Sequence, residues 1–300
     1  MSDRLAAMTL LVAAVDAGSL SAAARRQGIP LATVSRRVAE LEEELGTQIV
    51  QRSPRGLSLT EPGEAYLAAC RSILEQVTEA ERLVAGEFRE PKGLLNVTAP
   101  ICFGRIHVLN VVTEFLREHP AVDVRLEQTD RPINIGEEHI DAAVRIGNLT
   151  DSALRARRLG EVRKVVVASP DYLAERGVPE TPEDLAGHDC LSFETIMRSD
   201  RWSFSDGETE HHVRVRSRLS LNAADTAILA AEAGLGVTRV LSYQVAPLVR
   251  AGRLRILLED FEPPRWPVHL LYRGGVVPQK LRAFVDFAAP RLRASMADTW

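Results

Sequence analysis

The sequence is poor in features that define several classes of protein. Its three cysteines are far apart and odd in number, which excludes a disulfide framework and a CxxC metal site: Cys70, Cys102 and Cys190. No apolar run reaches the roughly 18 residues that a membrane span requires, so we expect no membrane association. An apolar stretch near the N-terminus is interrupted by Asp16 and lacks a small-residue cleavage pattern. We therefore predict an amphipathic helix there, and a cytoplasmic protein.

Motifs of catalysis and of cofactor binding are also missing. The sequence contains no G-x-S-x-G, no HExxH and no P-loop. Gly234-Leu-Gly236 lacks the third glycine of a dinucleotide fingerprint and follows a predicted helix, so we interpret it as a helix-to-strand turn. His211 and His212 are adjacent in a predicted strand and point to opposite faces, where they cannot chelate one ion together. We predict no enzyme: no catalytic residue, no metal site and no cofactor.

Lysine is nearly absent, since only three of the 37 Lys and Arg residues are lysine. Arginine suits bidentate contacts with phosphates and bases. The net charge of −4 argues against a protein that coats nucleic acid generally, but it allows a local basic face. With 300 residues, 45% of them hydrophobic and 26% charged, the chain is expected to fold into two or three compact globular units.

A compact helical motif opens the chain. In the segment Gly18–Gly28, Ser21 is predicted to cap a short helix of small residues that Gly28 ends. The next helix is predicted to start near Ala32, and its inward positions are Val34, Val38, Leu41 and Leu45. This pattern is typical of a helix-turn-helix, whose second helix enters the DNA major groove with its N-terminal end.

The outward face of that second helix carries the side chains that read bases. Thr33, Ser35, Arg36 and Arg37 face away from the predicted core, and an acidic run at Glu40 and Glu42–Glu44 lies toward the far end. The alternative is an ordinary solvated helix face. Two short strands around the turn Ser53–Gly56 follow and predict a wing with two arginines suited to phosphate and minor-groove contact. The complete predicted DNA-binding set is Ser21, Ala32, Thr33, Ser35, Arg36, Arg37, Arg52 and Arg55.

A long helix is predicted from Glu61 to Phe88, with Pro62 in its first turn. At about 1.5 Å per residue it spans roughly 42 Å, and its narrow apolar stripe is typical of a helix–helix seam. We predict that the stripe holds a dimer; the alternative is packing on the chain's own C-terminal part. The stripe consists of Tyr66, Ala69, Ile73, Val77, Ala80 and Val84.

After a hinge near Glu87–Gly93 the pattern alternates between strands and helices, which predicts an α/β unit with a mostly parallel sheet. The predicted strands are Leu94–Thr98, Val122–Gln128, Asp141–Ile146, Val165–Ser169 and a half-buried Trp202–Leu221. The predicted helices are Gly104–His119, Ile133–Glu138 and Asn222–Ala233. Ligands bind outside the carboxyl ends of such strands, so the site is expected near Pro100, Thr129 and Ile146.

Residues 5–67 resemble the DNA-binding domain of LysR-type transcriptional regulators. The matching motifs are AGSLSAAARRQGI, TVSR, LEEELGTQIVQR and LSLTEPGEAYL. The C-terminal part is similar to the same family through HIDAAVRIGNL, LRARRLGEVRKVVVASPDYL, GHDCLSF and EAGLGVTRVLSYQVAPLVRAGRL. Departures are Arg36-Arg37 where many relatives carry Arg-Gln, a cysteine in Pro100–Gly104 where a hydroxyl residue is common, and a less basic loop at Arg273–Pro278.

The resemblance implies a regulator of transcription in three parts. They are a winged helix-turn-helix over 1–60, a linker and dimerisation helix over 61–90, and an effector-binding domain over 91–300. That last domain is expected to have a periplasmic-binding-protein-like fold, with lobe I at about 91–163 and 267–300 and lobe II at about 164–266. The implied partners are double-stranded promoter DNA, a small-molecule effector, further copies of the chain in a homodimer or homotetramer, and RNA polymerase.

The resemblance also implies an effector cleft between the lobes. Its expected lining is Pro100, Ile101, Cys102, Phe103, Thr129, Asp130, Arg145, Gly147, Trp202, Asn222, Ala224 and Thr238. Arg145 is expected either to bind an anion or to form a structural salt bridge. Cys102 is either a redox switch or a buried thiol, and Cys190 is expected to be packed. The rival function is an enzyme or solute-binding protein in which the two-lobed domain does the main work.

Overall fold

A computed structural model describes residues 2–53, 56–85, 90–131, 140–149, 154–193, 201–275 and 277–297. The chain divides into two compact units. The N-terminal unit comprises Met1–Arg89 with Gly275–Gln279, and the C-terminal unit comprises Glu90–Gly274 with Lys280–Trp300. The mixed α/β architecture expected from the sequence is confirmed.

The N-terminal unit packs three helices, a two-stranded sheet and the start of a long helix around one apolar core. The elements are α1 (Ser2–Asp16), α2 (Leu20–Gln27), α3 (Leu31–Leu45), β1 (Val50–Ser53), β2 (Gly56–Leu59) and α4 (Glu61–Ala85). Strands β1 and β2 pair antiparallel and form the wing. Val34, Val38 and Leu41 of α3 lie in the core with Leu11 of α1 and Ala23 of α2. The helix-turn-helix and its inward positions are confirmed.

The caps of α2 differ in part from the prediction. Ser19 has an extended backbone, and its hydroxyl accepts a hydrogen bond from the Ala22 N–H at 3.1 Å. The prediction of Ser21 as the cap was wrong, because Ser21 already lies inside the helix, where its hydroxyl is 3.3 Å from that of Ser19. Gly28 ends α2 with φ of 68°, a left-handed conformation that favours glycine.

The wing is tied to α3 and α4 by specific contacts. One carboxylate oxygen of Glu42 accepts the N–H groups of Ile49 (2.8 Å) and Val50 (3.0 Å). The Thr60 hydroxyl accepts the N–H of Gly63 at 3.1 Å and so caps α4. A Cβ on Gly63 would lie only 2.0 Å from the Ile49 carbonyl oxygen, so only glycine allows this close approach. These contacts fix where α4 begins.

The C-terminal unit contains twelve strands among its described residues. They are β3 (Gly93–Ala99), β4 (Val122–Gln128), β5 (Ala142–Ile146), β6 (Leu154–Val162), β7 (Lys164–Ala168), β8 (Cys190–Phe193), β9 (Arg201–Ser205), β10 (Glu210–Arg214), β11 (Ser217–Leu221), β12 (Val237–Leu241), β13 (Arg255–Leu257) and β14 (Trp266–Arg273). Its helices are α5 (Ile101–Phe103), α6 (Leu109–Glu118), α7 (Pro170–Arg176), α8 (Ala224–Glu232), α9 (Ser242–Arg250) and α10 (Gln279–Ala297), with a π-helical turn at Gly104–Val108 and 3-10 turns at Pro182–Gly187 and Glu259–Phe261.

Most of these strands form two five-stranded sheets, which define two lobes. The first sheet has the order β4-β3-β5-β14-β6 and the second has the order β11-β8-β12-β7-β13. The chain crosses from the first sheet to the second at Arg163 and returns between β13 and β14. Both sheets are mixed, since β14 runs antiparallel to β5 and β6, and β12 runs antiparallel to β7. In each sheet the other four strands point the same way, so the expectation of a mostly parallel sheet is confirmed in strand direction, with one reversed strand in each lobe.

Other elements also differ from the sequence prediction. Trp202–Leu221, expected as one strand, is divided into β9, β10 and β11. The predicted helix at Gly104–His119 begins three residues earlier, at Ile101, and passes through the π-helical turn. The Gly234 segment is the predicted turn between α8 and β12, and a Cβ on Gly236 would lie 2.1 Å from the Asp189 carbonyl oxygen. The helix predicted at Ile133–Glu138 lies outside the described residues.

No single helix in the described part of the chain has both the length and the hydropathy to cross a membrane. The bent pair Arg4–Asp16 and Leu20–Gln27 passes only when its two helices are taken together. Both helices contribute buried residues to the core of the N-terminal unit.

Candidate DNA-binding face and ligand cleft

The N-terminal half of α3 presents a polar surface on the side opposite its buried valines. Ala32 and Arg36 are exposed, and Thr33 and Ser35 are half-buried beside them. Leu31, the first residue of the helix, is 48% exposed. This mixture of hydroxyl, guanidinium and apolar groups matches what the edges of base pairs offer in the major groove. The structure thus brings together on α3 the residues that were predicted there to contact DNA.

Arg36 and Arg37 share one acidic neighbour. The Arg36 guanidinium lies 2.7 Å from the Glu40 carboxylate, and that of Arg37 lies 3.7 Å from it. Glu40, the first residue of the acidic run, reaches both arginines because i,i+3 and i,i+4 positions are neighbours on a helix. Glu42 of the same run has the structural role described above. With about 60% of the Arg36 side chain exposed, its pair with Glu40 is weak and easily exchanged for another anion.

The structure describes only the backbone of one of the two wing arginines. Arg52 lies in β1, where its backbone pairs with Leu57 across the wing. The side chain of Arg52 and the whole of Arg55 lie outside the described residues.

The predicted stripe on α4 does not face a single environment. Tyr66 packs against the core of its own unit, together with Leu67, Cys70 and Leu74 of the same helix. Burial raises the pKa of the Tyr66 hydroxyl. Farther along, Ile73 is 39% exposed. Of the other predicted positions, Ala69 and Val77 are half-buried, Ala80 is exposed, and the side chain of Val84 lies outside the described residues.

A cleft of about 680 Å³ lies between the two lobes of the C-terminal unit. Six predicted residues line it, namely Pro100, Thr129, Asp130, Arg145, Trp202 and Ala224. The ends of β3, β4 and β5 contribute to this wall, as the strand-end argument predicted. The wall also contains Arg131, Ile146, Lys164, Leu191, Ser192, Phe193, Arg239, Val240, Leu241, Tyr243, Gln244 and Trp266.

Three predicted lining residues are instead part of a helix. Ile101, Cys102 and Phe103 form α5, and they are not among the described residues that line the cleft. Cys102 is 4% exposed and Phe103 is fully buried, because the helical turn directs these side chains into the core of the lobe. Of the predicted lining segment Pro100–Phe103, only Pro100 is among the described residues that line the cleft.

The other three predicted residues also lie outside the cleft wall, as far as the described residues define it. Thr238 is fully buried, and its hydroxyl donates to the Leu191 carbonyl at 2.9 Å. Gly147 donates its N–H to the Pro267 carbonyl at 2.8 Å, which holds the end of β5 against β14. Asn222 is an exposed residue directly after β11.

The helix start beside the cleft already has an anionic partner. The Asp130 carboxylate accepts the Ile101 N–H at 3.0 Å. Burial raises the pKa of the Cys102 thiol, and Asp225 adds to this effect. Cys102 is therefore a buried thiol rather than an activated thiolate. Cys190 is packed as expected, with burial raising its thiol pKa to about 12.

An aromatic cluster joins the lobes beside the cleft. The Phe103 ring from the first lobe meets Tyr243 from the second lobe edge-on, with centroids 5.4 Å apart. His107, in the π-helical turn, lies 4.6 Å from Phe103 and 5.5 Å from Tyr243. Burial lowers the pKa of His107 to about 4, so this ring is neutral at physiological pH. The cluster is an apolar support for the cleft wall.

Sequence reasoning missed two cations that dominate the second wall of the cleft. The Lys164 ammonium lies 3.8 Å from the centroid of the Trp266 ring. Arg239 lies 5.1 Å from the Trp202 centroid and donates to the Ser203 carbonyl at 2.9 Å. Burial, reinforced by the charge of Arg239, lowers the pKa of Lys164 to about 8. The available signal was the rarity of lysine: one of only three lies at the crossing between the lobes.

A winged helix-turn-helix joined to a two-lobed α/β unit with a cleft defines a ligand-controlled DNA-binding regulator. Residues 5–64 match the model of the bacterial regulatory helix-turn-helix protein, lysR family. Residues 88–293 match the model of the LysR substrate binding domain. The chain belongs to the LysR family of transcriptional regulators.

Individual relatives agree over nearly the whole length. The chain is 35% identical to the HTH-type transcriptional repressor PA14_22550 of Pseudomonas aeruginosa (strain UCBPP-PA14), covering 95% of this chain and 91% of that protein. It is 31% identical to the HTH-type transcriptional activator TtdR of Escherichia coli (strain UTI89 / UPEC), covering 94% and 91%. The solved structure of CrgA, a LysR-type regulator from Neisseria meningitidis, superposes with a TM-score of 0.62 at 30% identity, covering 95% and 98%.

Proposed function

We propose that this transcription regulator reads promoter DNA with the first two turns of α3. The observation that carries the proposal is the surface formed by exposed Ala32 and Arg36 with half-buried Thr33 and Ser35 beside them. In this proposal Arg36 makes a bidentate contact with a guanine, and the hydroxyl groups of Thr33 and Ser35 contact either base partner. Leu31 is exposed beside them and suits contact with a thymine methyl group.

Further basic groups hold the DNA backbone in this proposal. Arg37 lies beside Arg36, and Arg52 and Arg55 belong to the wing that follows α3. Ser21 lies near the start of α2, where a hydroxyl suits a phosphate oxygen. Contacts of this kind position a protein on the duplex without reading its sequence.

The regulator acts as a dimer or a dimer of dimers through α4. Ile73 supports this proposal, because a large apolar side chain on a solvent-facing helix surface needs a partner. Two copies of α3 then meet two half-sites of the promoter. The protein works in the cytoplasm, where promoter DNA and RNA polymerase are its other partners.

The cleft of the C-terminal unit takes the small-molecule effector. Its volume lies within the range of small-molecule sites, and its wall combines apolar side chains with a few charged ones. A ligand that favours one arrangement of the lobes changes the affinity for DNA by the same factor as DNA changes the affinity for the ligand.

DNA binding by the full-length chain is the direct test. Fluorescence anisotropy is measured with a labelled duplex from upstream of the chain's own coding sequence and with a scrambled duplex of equal length. We expect tighter binding to the upstream duplex and a fall in affinity for both as salt rises. Equal affinity for both duplexes would contradict sequence-specific recognition, and no binding at low salt would contradict the function itself.

A further inference from the structure

The cleft wall is strongly cationic. Its described residues include four basic side chains, at Arg131, Arg145, Lys164 and Arg239, and one acidic side chain, Asp130. The Asp130 carboxylate is engaged by the Ile101 N–H at 3.0 Å. Arg131 is also paired with Glu127 at 3.5 Å. The lining residues therefore carry more basic than acidic side chains, and Lys164 and Arg239 are the basic groups considered below.

Lys164 is the cation of the cleft wall that is best placed to bind an external anion. No carboxylate in the described part of the chain lies within ion-pair distance of its ammonium group, which instead lies over the Trp266 ring. The nearest charge that acts on it is another cation, Arg239. An anion between Lys164 and Arg239 would offset the repulsion of these two like charges in a half-buried site.

Arg163, the residue before Lys164, provides a comparison within the same chain. Arg163 is also half-buried, but two of its guanidinium nitrogens lie 2.6 and 2.7 Å from the Glu262 carboxylate, and it lies 3.1 Å from Glu259. The protein thus supplies its own anions to Arg163 and supplies none to Lys164 from the described residues. Only Lys164 of these two lines the cleft.

The apolar residues of the cleft wall indicate the chemistry of the rest of the ligand. Pro100, Ile146, Leu191, Phe193 and Ala224 contribute apolar surface to both walls of the cleft. Such a surface contributes affinity by burying apolar area, at about 25 cal/mol per Å². A fully hydrated polar anion would leave it uncovered.

We propose that the cleft binds a small organic carboxylate with an apolar body, whose carboxylate lies between Lys164 and Arg239. This assignment rests on the proposed role of the cleft as the effector site. A carboxylate is favoured over a phosphate ester because the helix start that would suit a phosphate is occupied by Asp130. The Trp202 and Trp266 indoles lie beside this position, because Arg239 lies over the Trp202 ring and Lys164 lies over the Trp266 ring.

The test uses matched acids and amides with the full-length chain. The probes are phenylacetate and hexanoate, their amides, and phenyl phosphate, titrated at millimolar concentrations. Binding is followed by tryptophan fluorescence, because two of the three tryptophans line the cleft, and by calorimetry. We expect saturable binding of at least one acid that is roughly tenfold or more tighter than that of its amide.

Three variants test whether the Lys164 ammonium group recognises the carboxylate. Lys164→Met removes the ammonium group and is expected to abolish the preference for the acid, whereas Lys164→Arg retains it. Lys92→Met makes the same chemical change at an exposed position before β3 and is expected to leave probe binding unchanged. Thermal unfolding checks the fold of each variant. If Lys164→Met fails to fold, the pH profile of acid binding to the unmodified chain decides, since a lysine contact weakens as the lysine deprotonates.

Several results would overturn the proposal. They are equal binding of acid and amide, stronger binding of phenyl phosphate than of either acid, no binding of any acid, or full acid preference in a folded Lys164→Met variant. The proposed function is judged separately by DNA binding. An amide that binds and is blocked by Ala224→Trp would preserve the effector cleft while refuting its anionic ligand.

Discussion

Cations in the two units of this chain occupy opposite environments. Arg36 in the N-terminal unit is about 60% exposed on its side chain and is balanced by Glu40 at 2.7 Å. Lys164 in the C-terminal unit is half-buried over an indole ring, and no described carboxylate balances it. The first arrangement suits a large anion that exchanges for an internal partner at the surface. The second suits a small anion that enters a partly desolvated site.

The largest loss of DNA affinity is expected when the dimer is broken, because this halves the number of α3 helices that contact the DNA. Replacing both Ile73 and Val77 with Asp places charges in the proposed seam of α4 and should convert the protein to monomers. DNA affinity should then fall sharply, because one exposed face replaces two. Light scattering measures the mass, and Thr78→Asp at an exposed position of the same helix is the control. An unchanged mass of the double variant would mean that other surfaces associate the chains.

Arg36 tests the surface side of the comparison. We expect Arg36→Ala to weaken binding to the upstream duplex by about 1–3 kcal/mol and to relax the preference at one base pair. Arg36→Lys retains the charge but loses the bidentate geometry, so it should lower specificity more than affinity for scrambled DNA. Anisotropy with both duplexes measures the two effects. An equal loss on both duplexes would make Arg36 a phosphate contact.

The pH dependence of acid binding tests the role of the half-buried Lys164 in the cleft. A bound carboxylate favours the ammonium form and so raises the pKa of Lys164 above its value in the free protein, about 8. Affinity should be constant below pH 8 and fall by up to about tenfold per pH unit above it. The charged groups around Lys164 are Arg239 from β12, Arg145 from β5, and Asp130 and Arg131 after β4. Calorimetry with phenylacetate at pH 7 to 10 measures the fall.

Lys164→Arg is the control for this profile, because its guanidinium remains charged throughout. The variant should bind phenylacetate with little change between pH 7 and 10. A fall of the same size in Lys164→Arg would assign the titration to another group.

Glu40 should produce the smallest effect. Glu40→Gln removes the internal partner of Arg36 and one negative charge near the DNA, so affinity for both duplexes should rise a few-fold, on the order of 0.2–1 kcal/mol. Glu43→Gln, one turn farther along α3, is the matched control and should change affinity less. A loss of affinity in Glu40→Gln would mean that the pair orients Arg36 for its base contact.

The sequence predicts the N-terminal unit well because its signals are local. Helical spacing places Val34 and Val38 in the core, and Gly28 marks a helix end through its left-handed conformation. The cap was misassigned because Ser19 and Ser21 both carry a hydroxyl, and only the extended backbone at Ser19 decides between them.

The cleft is less predictable because its walls come from distant parts of the chain. Trp266 reaches the site only because β14 returns to pair with β5 and β6, and no local pattern encodes that pairing. Arg239 and Lys164 lie on neighbouring strands, β12 and β7, although 75 residues separate them along the chain. Cys102 and Phe103 were expected in the cleft lining because the family resemblance implied it, whereas they lie in the helical turn that follows Pro100 and are buried.

Salt dependence compares the two regions in one experiment. Affinity for the upstream duplex and for phenylacetate is measured for the full-length chain between 50 and 200 mM salt. The exposed face predicts that DNA affinity falls roughly tenfold or more over this range, whereas the half-buried cations of the cleft predict a several-fold smaller fall for the acid. Equal fractional losses for the two ligands, or a DNA affinity that does not change with salt, would contradict the account.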